Sequence, residues 1–179
     1  EGESVRSTTA LARIASGARL RAALLVTRAT PLRGSGDVAG GSAPGQVRVV
    51  ADHLNVSGGS LFPAPGMVSA GWDATLTERL GSLRGVSGSS VVALVPGPLR
   101  PSPAESRALV SLGADAAVTD SVAEAMVLAS RGVAVSALTY LDAPAAGGNL
   151  GRAQLSLRQA SGVTLAAVEE ILRSLRAGS

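Results

Sequence analysis

The sequence contains no cysteine and no lysine. The first absence excludes a disulfide framework, a thiolate nucleophile and a thiolate metal site. The second excludes Schiff-base catalysis and every other use of a lysine amine. Aromatic residues make up only 2%, with one Trp, one Tyr and one Phe. The core must therefore be built from Ala, Val and Leu, which suits close packing of helices on a sheet better than an aromatic-rich β-sandwich. The same scarcity leaves no array of rings on which nucleobases could stack. No stretch has the apolar length of a membrane-spanning helix, and no basic-then-apolar leader opens the chain. A soluble, cytoplasmic protein with no membrane partner is the expectation. With no cysteine and a single histidine, no metal site is expected either.

What is present bounds the rest. A chain of 179 residues, 46% of them hydrophobic, can bury a substantial core as one domain over 1–179. All 16 basic residues are arginine, for a net charge of +3. They are dispersed, as at Arg6, Arg13, Arg19, Arg28, Arg33, Arg79, Arg84, Arg107, Arg152, Arg158 and Arg173, and form no stripe. Solvated helix faces explain them, and no nucleic-acid partner is expected.

The stretch 95–141 reads as loop, helix, strand, helix, strand. Ser102 with Glu105 has the spacing of a capping box, Pro103 sits in the first turn, and Gly113 ends the helix. A short apolar strand follows over 114–119, then Ser121 with Glu124 repeats the capping spacing and Gly132 closes that helix. A strand over 133–141 completes a helical crossover, which predicts that the two strands pair in parallel. Ligands gather at the carboxyl ends of such strands, here Thr119, Asp120 and Ser121 on one and Thr139, Tyr140 and Leu141 on the other.

Elsewhere the pattern predicts an amphipathic helix over 3–16 that covers a sheet face, with apolar positions Val5, Leu11, Ile14 and Ala15, ending at Gly17. Strands follow over 21–27, 46–51 and 90–95, and a short helical pattern lies over 73–83. A closing helix over 153–176 carries Leu157, Ala160, Val168, Ile171, Leu172 and Leu175, with Gly162 as a weak point. Residues 30–45, rich in Gly, Pro and Ser, read as loop. The GSGDVAGG run inside it lacks the Gly-Lys-Ser/Thr ending of a phosphate loop. The whole reads as α/β, a mostly parallel mixed sheet flanked by helices.

Gly97-Pro98, Pro103-Ala104-Glu105, Arg107, Leu109, Leu112-Gly113-Ala114-Asp115-Ala116 and Val122 to Glu124 stand in the order and spacing of a known run. They resemble the segment GPxYETPAExRxLxxLGADAVGMSTVPE of the trimeric purine nucleoside phosphorylases, a family that includes methylthioadenosine phosphorylases. Asp52-His53-Leu54-Asn55-Val56-Ser57-Gly58 is similar to the family's DHxNLxG, and Glu1-Gly2 and Leu155-Ser156 fit its flanking segments. The resemblance implies a three-layer nucleoside-phosphorylase sandwich, a trimeric habit, and phosphate as co-substrate with no other cofactor. It also implies that the family's opening strand, Gly-Ser-Gly phosphate loop and Arg-containing phosphate site would precede Glu1.

The chemistry-bearing positions depart from the family. Phosphorolysis needs phosphate held beside the anomeric carbon, a clamped sugar, and hydrogen bonds to the purine as it leaves. Where the family has TNAAGG, this chain has Thr27-Arg28-Ala29-Thr30-Pro31, with Arg28 at the usual asparagine. The family's purine-binding glutamate falls on Pro101 and the aromatic before it on Arg100. Its GMST run falls on Val118-Thr119-Asp120-Ser121, its purine-binding asparagine on Tyr140, and its late histidine on Leu157. By family position, Arg28, Ala29, Arg100, Thr119, Asp120 and Tyr140 are the candidate substrate-binding residues, and no catalytic residue is assigned.

Three features carry alternatives. Asp120 and Tyr140, at the ends of strands predicted to be neighbours, could form a new charged pocket with Arg100, or Asp120 could simply cap a helix. His53 could shuttle a proton or shape a turn. Phe62 could close a neighbouring subunit's pocket, as the resemblance implies, or anchor a core. The resulting expectation is a nucleoside-phosphorylase-like protein with weak or no activity and a structural or regulatory role, as a homo-trimer or with a catalytic paralogue. An active phosphorylase or hydrolase of altered specificity, and a non-catalytic module binding a purine nucleoside or an anion such as phosphate, stay open beside it.

Overall fold

A computed structural model describes residues 9–18, 20–32, 44–58, 71–96, 100–142 and 150–177, with the side chains of Ser16 and 150–157 outside the description. Phe62, Gly97-Pro98 and the GSGDVAGG run lie outside the described residues. In chain order the elements are α1 (Ala10–Ser16), β1 (Ala22–Pro31), β2 (Val47–Asn55), α2 (Ala74–Gly81), β3 (Val86–Leu94), α3 (Pro103–Ser111), β4 (Ala116–Val118), α4 (Val122–Ala129), β5 (Ala134–Leu141) and α5 (Leu150–Ala177).

The fold is α/β with a mixed sheet and flanking helices. The strand order is β1-β4-β3-β2-β5, and β5 returns to β1, so the ladder closes on itself. Pairings β1/β5, β2/β3 and β3/β4 are parallel, while β1/β4 and β2/β5 are antiparallel. Helices flank both faces of this small closed sheet.

Local chemistry places most boundaries. At α3 the full capping box forms: Ser102 N donates to Glu105 Oε2 at 2.7 Å, and Glu105 N donates to Ser102 Oγ at 3.3 Å. At α2, Asp73 Oδ1 accepts from Leu76 N at 2.8 Å. The core divides into three clusters. One joins Val50, Val92, Ala116, Val118, Val135 and Ala137 of the sheet to Trp72, α4 and Ala12 of α1. A second packs α2 and α5 on Val47, Val49, Leu138 and Tyr140. The third sets Leu109 of α3 on Ala93 and Ala117.

Five expectations need correction. The crossover from β4 to β5 does not pair those strands, because β1 lies between them. β4 is three residues long and offers one edge to β3 and the other to the end of β1, while β5 is matched over eight positions by β1. β2 does not stop at residue 51 but runs to Asn55, since β3 continues to offer partners: His53 lies opposite Val92 and Asn55 opposite Leu94. Ser121 does not cap α4. Its φ of 68° leaves the extended region that a capping residue needs, and its Oγ donates instead to Asp120 Oδ1 at 3.1 Å. At α1 the buried residues are Thr9, just before its start, and Ala12, with Leu11 and Ile14 exposed. In α5 the buried stripe is Val163, Ala167 and Ile171, at i, i+4 and i+8, so Val168 and Leu172 face outward.

Two glycines make the packing of α5 testable. Gly85 has φ +95°, and a Cβ there would stand 2.7 Å from Val163 Cγ2, whereas Gly162 lies on the exposed side of α5 with nothing within 4 Å. Gly85→Ala is expected to lower stability in urea unfolding by about 1–3 kcal/mol, the cost of overpacking. Gly162→Ala is expected to raise it by about 0.5–1 kcal/mol, because a mid-helix glycine gives up more backbone entropy than alanine.

Candidate functional site

The carboxyl ends of the strands bring together residues that are far apart in sequence, and β1 decides which of them meet. Its register sets Thr27 opposite Thr139, Arg28 opposite Tyr140 and Ala29 opposite Leu141. Farther along, Thr30 lies opposite Ala117. Successive side chains of a strand point to opposite faces. Ala29 belongs to the cluster under α4, and Tyr140 to the cluster under α2 and α5. Thr27 and Ala29 therefore share one face of β1, and Arg28 and Tyr140 share the other.

On the first face, the buried Thr27 hydroxyl donates to Asp120 Oδ1, which also accepts from Ser121 Oγ. Thr27 Oγ1 lies 3.2 Å from the Arg28 carbonyl oxygen as well. Glu124 stands in the first turn of α4 with its Oε2 buried and without a hydrogen-bond partner. Burial pushes its carboxyl above the usual glutamate range. Its own amide opposes the shift, the charge of Asp120 adds to it, and the amide of Ser121 opposes it again. On the second face, Arg28 Nη2 donates to Asp142 Oδ2 at 2.6 Å. That hydrogen bond and the charge of Asp142 hold the guanidinium still more firmly ionised, with a smaller contribution from Tyr140. Asp142 is fixed in turn through its own N–H, which donates to the Ala29 carbonyl at 2.8 Å.

The strands that end at Asp120 and Tyr140 are not neighbours, which removes the premise of a pocket shared by these residues with Arg100. Asp120 and Tyr140 belong to opposite faces of β1, and Arg100 lies elsewhere. It lines a cavity of about 390 Å³ beyond the ends of β2 and β3, with Val56, Val95, Pro101, Glu105 and Leu109. Thr119 is exposed beside Asp120. The structure thus ties Asp120 to Thr27, with Ala29 on the same face of β1, and Arg28 to Asp142, with Tyr140 opposite Arg28 in the ladder. Sequence reasoning left Thr27 and Asp142 unassigned. The Thr27 position was marked by the run it shares with the TNAAGG segment, but nothing near Asp142 in sequence announces a partner 114 residues away. Among the described residues no group of three or more His, Asp and Glu side chains is placed to hold a metal ion. No described helix is long and apolar enough to cross a membrane.

This fold is that of solved purine nucleoside phosphorylases. The Schistosoma mansoni enzyme in complex with inosine matches with a TM-score of 0.72 and 17% identity, over 95% of this chain and 67% of that one. Its complex with hypoxanthine gives the same TM-score and identity over 95% and 68%. A Schistosoma enzyme with guanosine gives 0.67 and 18% over 90% and 68%. The chain spans about two thirds of the length of these structures. No protein-family model and no curated protein matches the sequence.

The half-buried Glu124 gives a pH test. Its folded-state pKa lies above the ordinary 4.5. The stability linked to its neutral form is therefore present below 4.5 and lost as pH rises through the folded value. Glu124→Gln stays neutral throughout. It is expected to melt at a higher temperature than wild type at neutral pH, with the difference closing below pH 4.5; equal melting curves at both ends of the range would contradict the assignment.

Proposed function

We propose that the chain is a nucleoside-phosphorylase-fold protein with little or no phosphorolysis of its own, acting as a structural or regulatory subunit. The observation that carries this reading is the state of the charged groups at the strand ends. Arg28 is paired with Asp142, Asp120 is tied to Thr27 and Ser121, and the two groups belong to opposite faces of β1. A site that stabilises a departing purine anion needs preorganised donors converging on one point, and losing a single such donor costs about 10²–10³ in rate. Here proline stands at the position of the family's purine-binding glutamate, and Pro101 has no side-chain donor or acceptor.

The ligands to try follow from the neighbours, which were solved with inosine, guanosine and hypoxanthine. In this reading the residues closest to a bound nucleoside are Ala29, Thr119 and Asp120, and the partner is a second copy, as a trimer, or a catalytic relative. That the described strand-end groups stay on separate faces of β1 favours a role in assembly over one in turnover.

The test is base release from inosine and from guanosine by the purified chain, with and without inorganic phosphate. The expected rate is that of buffer alone in both conditions. Release of hypoxanthine or guanine that rises with phosphate overturns the proposal.

A further inference from the structure

The chain has one tryptophan and one histidine, and the fold sets them against each other. Trp72 Nε1 donates to His53 Nδ1 at 3.2 Å, and the rings meet edge to face with centroids 6.1 Å apart. An indole N–H can only donate. The bond therefore requires a neutral imidazole with Nδ1 bare and its proton on Nε2. Trp72 is only 7% exposed and belongs to the cluster that holds Val50 and Met126. Its N–H is thus poorly placed to exchange His53 for water, and loss of the bond leaves a buried donor unsatisfied.

The surroundings of the ring are largely uncharged. On its own strand, Asp52 Oδ1 is 3.9 Å from Nδ1, with its side chain 75% exposed. Val92 lies opposite on β3, and α4 contributes Met126, whose side chain fills the space beside Gly71 next to the ring. The carboxylate of Asp73 is turned to Leu76 N. Residues 59–70, which lead into Gly71, include no ionisable side chain. Burial holds the imidazole pKa below its ordinary value, against a smaller upward pull from Asp52.

We propose that His53 and Trp72 form an acid-sensitive latch: a proton on Nδ1 sets donor against donor, frees the indole, and loosens the Gly71–Trp72 turn that walls the cleft between β2 and α2. That cleft has a volume of about 640 Å³ and is lined by Asp52, Gly71, Trp72, Ala74 and Thr77 among others. The turn is coupled to its surroundings through Asp73, whose N–H donates to the Val135 carbonyl at 2.6 Å and whose carboxylate caps α2. Release of Trp72 is therefore transmitted to the first turn of that helix.

The pH window follows from the direction of the shift. With a folded pKa below 6.5, the unfolded chain takes up the proton first. The latch contributes its stability above 6.5 and loses it as pH falls from there through the folded value. In the full chain, NMR reads the single imidazole and the single indole N–H without any substitution. The His53 midpoint is expected below 6.5, with the Trp72 indole resonance moving at the same midpoint. Acrylamide quenching of Trp72 fluorescence is expected to rise several-fold over that range. In His53→Asn, whose carboxamide oxygen can take the place of Nδ1 but binds no proton there, quenching is expected to be flat with pH. A His53 midpoint at or above 6.5, an indole resonance indifferent to pH, or the same quenching profile in His53→Asn overturns the latch. None of these readouts depends on nucleoside turnover.

Discussion

Strand β1 is hydrogen-bonded on both edges, parallel to β5 over eight positions and antiparallel to the short β4 over its last two. Because it lies between them, the strand ends that would otherwise meet across one ladder are held apart by a full strand width. The alternation of β1 then sends its neighbours to different faces: Thr27 and Ala29 toward α4, Arg28 toward the side of Tyr140. One ladder closes the sheet and also divides its polar groups.

The division has electrostatic consequences. On each face described polar groups are engaged with one another, a carboxylate by two hydroxyls on one side and a guanidinium by a carboxylate on the other. Such arrangements favour one set of side-chain positions and keep the two sets of described polar groups on separate faces of β1. The same economy of charge holds deeper in the protein, where Trp72 has a neutral imidazole as its acceptor and Glu124 has a buried oxygen with none.

A core of small side chains keeps this geometry compact. Ala29, Ala93, Ala116, Ala125, Ala137 and Ala167 are almost fully buried, so the helices sit close to the sheet, with Trp72 and Tyr140 the aromatic side chains buried among them. Close packing of this kind is compatible with many sequences as long as volume and pattern are kept. This helps explain how a chain 17% identical to the Schistosoma mansoni enzyme can share its backbone arrangement.

What was legible in the sequence was local. The capping box of Ser102 and Glu105, the stop at Gly113 and the strand ending at Leu141 depend on side chains within a few residues of one another, and all appear where their pattern placed them. The α/β class followed from composition and from the alternation of helix and strand signals. Spacing misled where a backbone angle intervened. Ser121 and Glu124 have the capping interval, but the turn required a left-handed residue at Ser121. The exposed stripe of α5 likewise carries apolar residues that a helical wheel cannot tell from those facing the core.

The sequence by itself determined which segments become helices and strands, because caps, stops and apolar runs act through neighbouring backbone groups. Only the tertiary structure decided which strands are adjacent and which face each polar group occupies. Those outcomes rest on contacts such as Thr27 with Asp120 and Arg28 with Asp142, separated by 93 and 114 residues. The physical reason is that ladder hydrogen bonds are alike at every position. The choice of neighbour is made by how strand lengths and buried faces fit together, and not by a signal that any one segment carries.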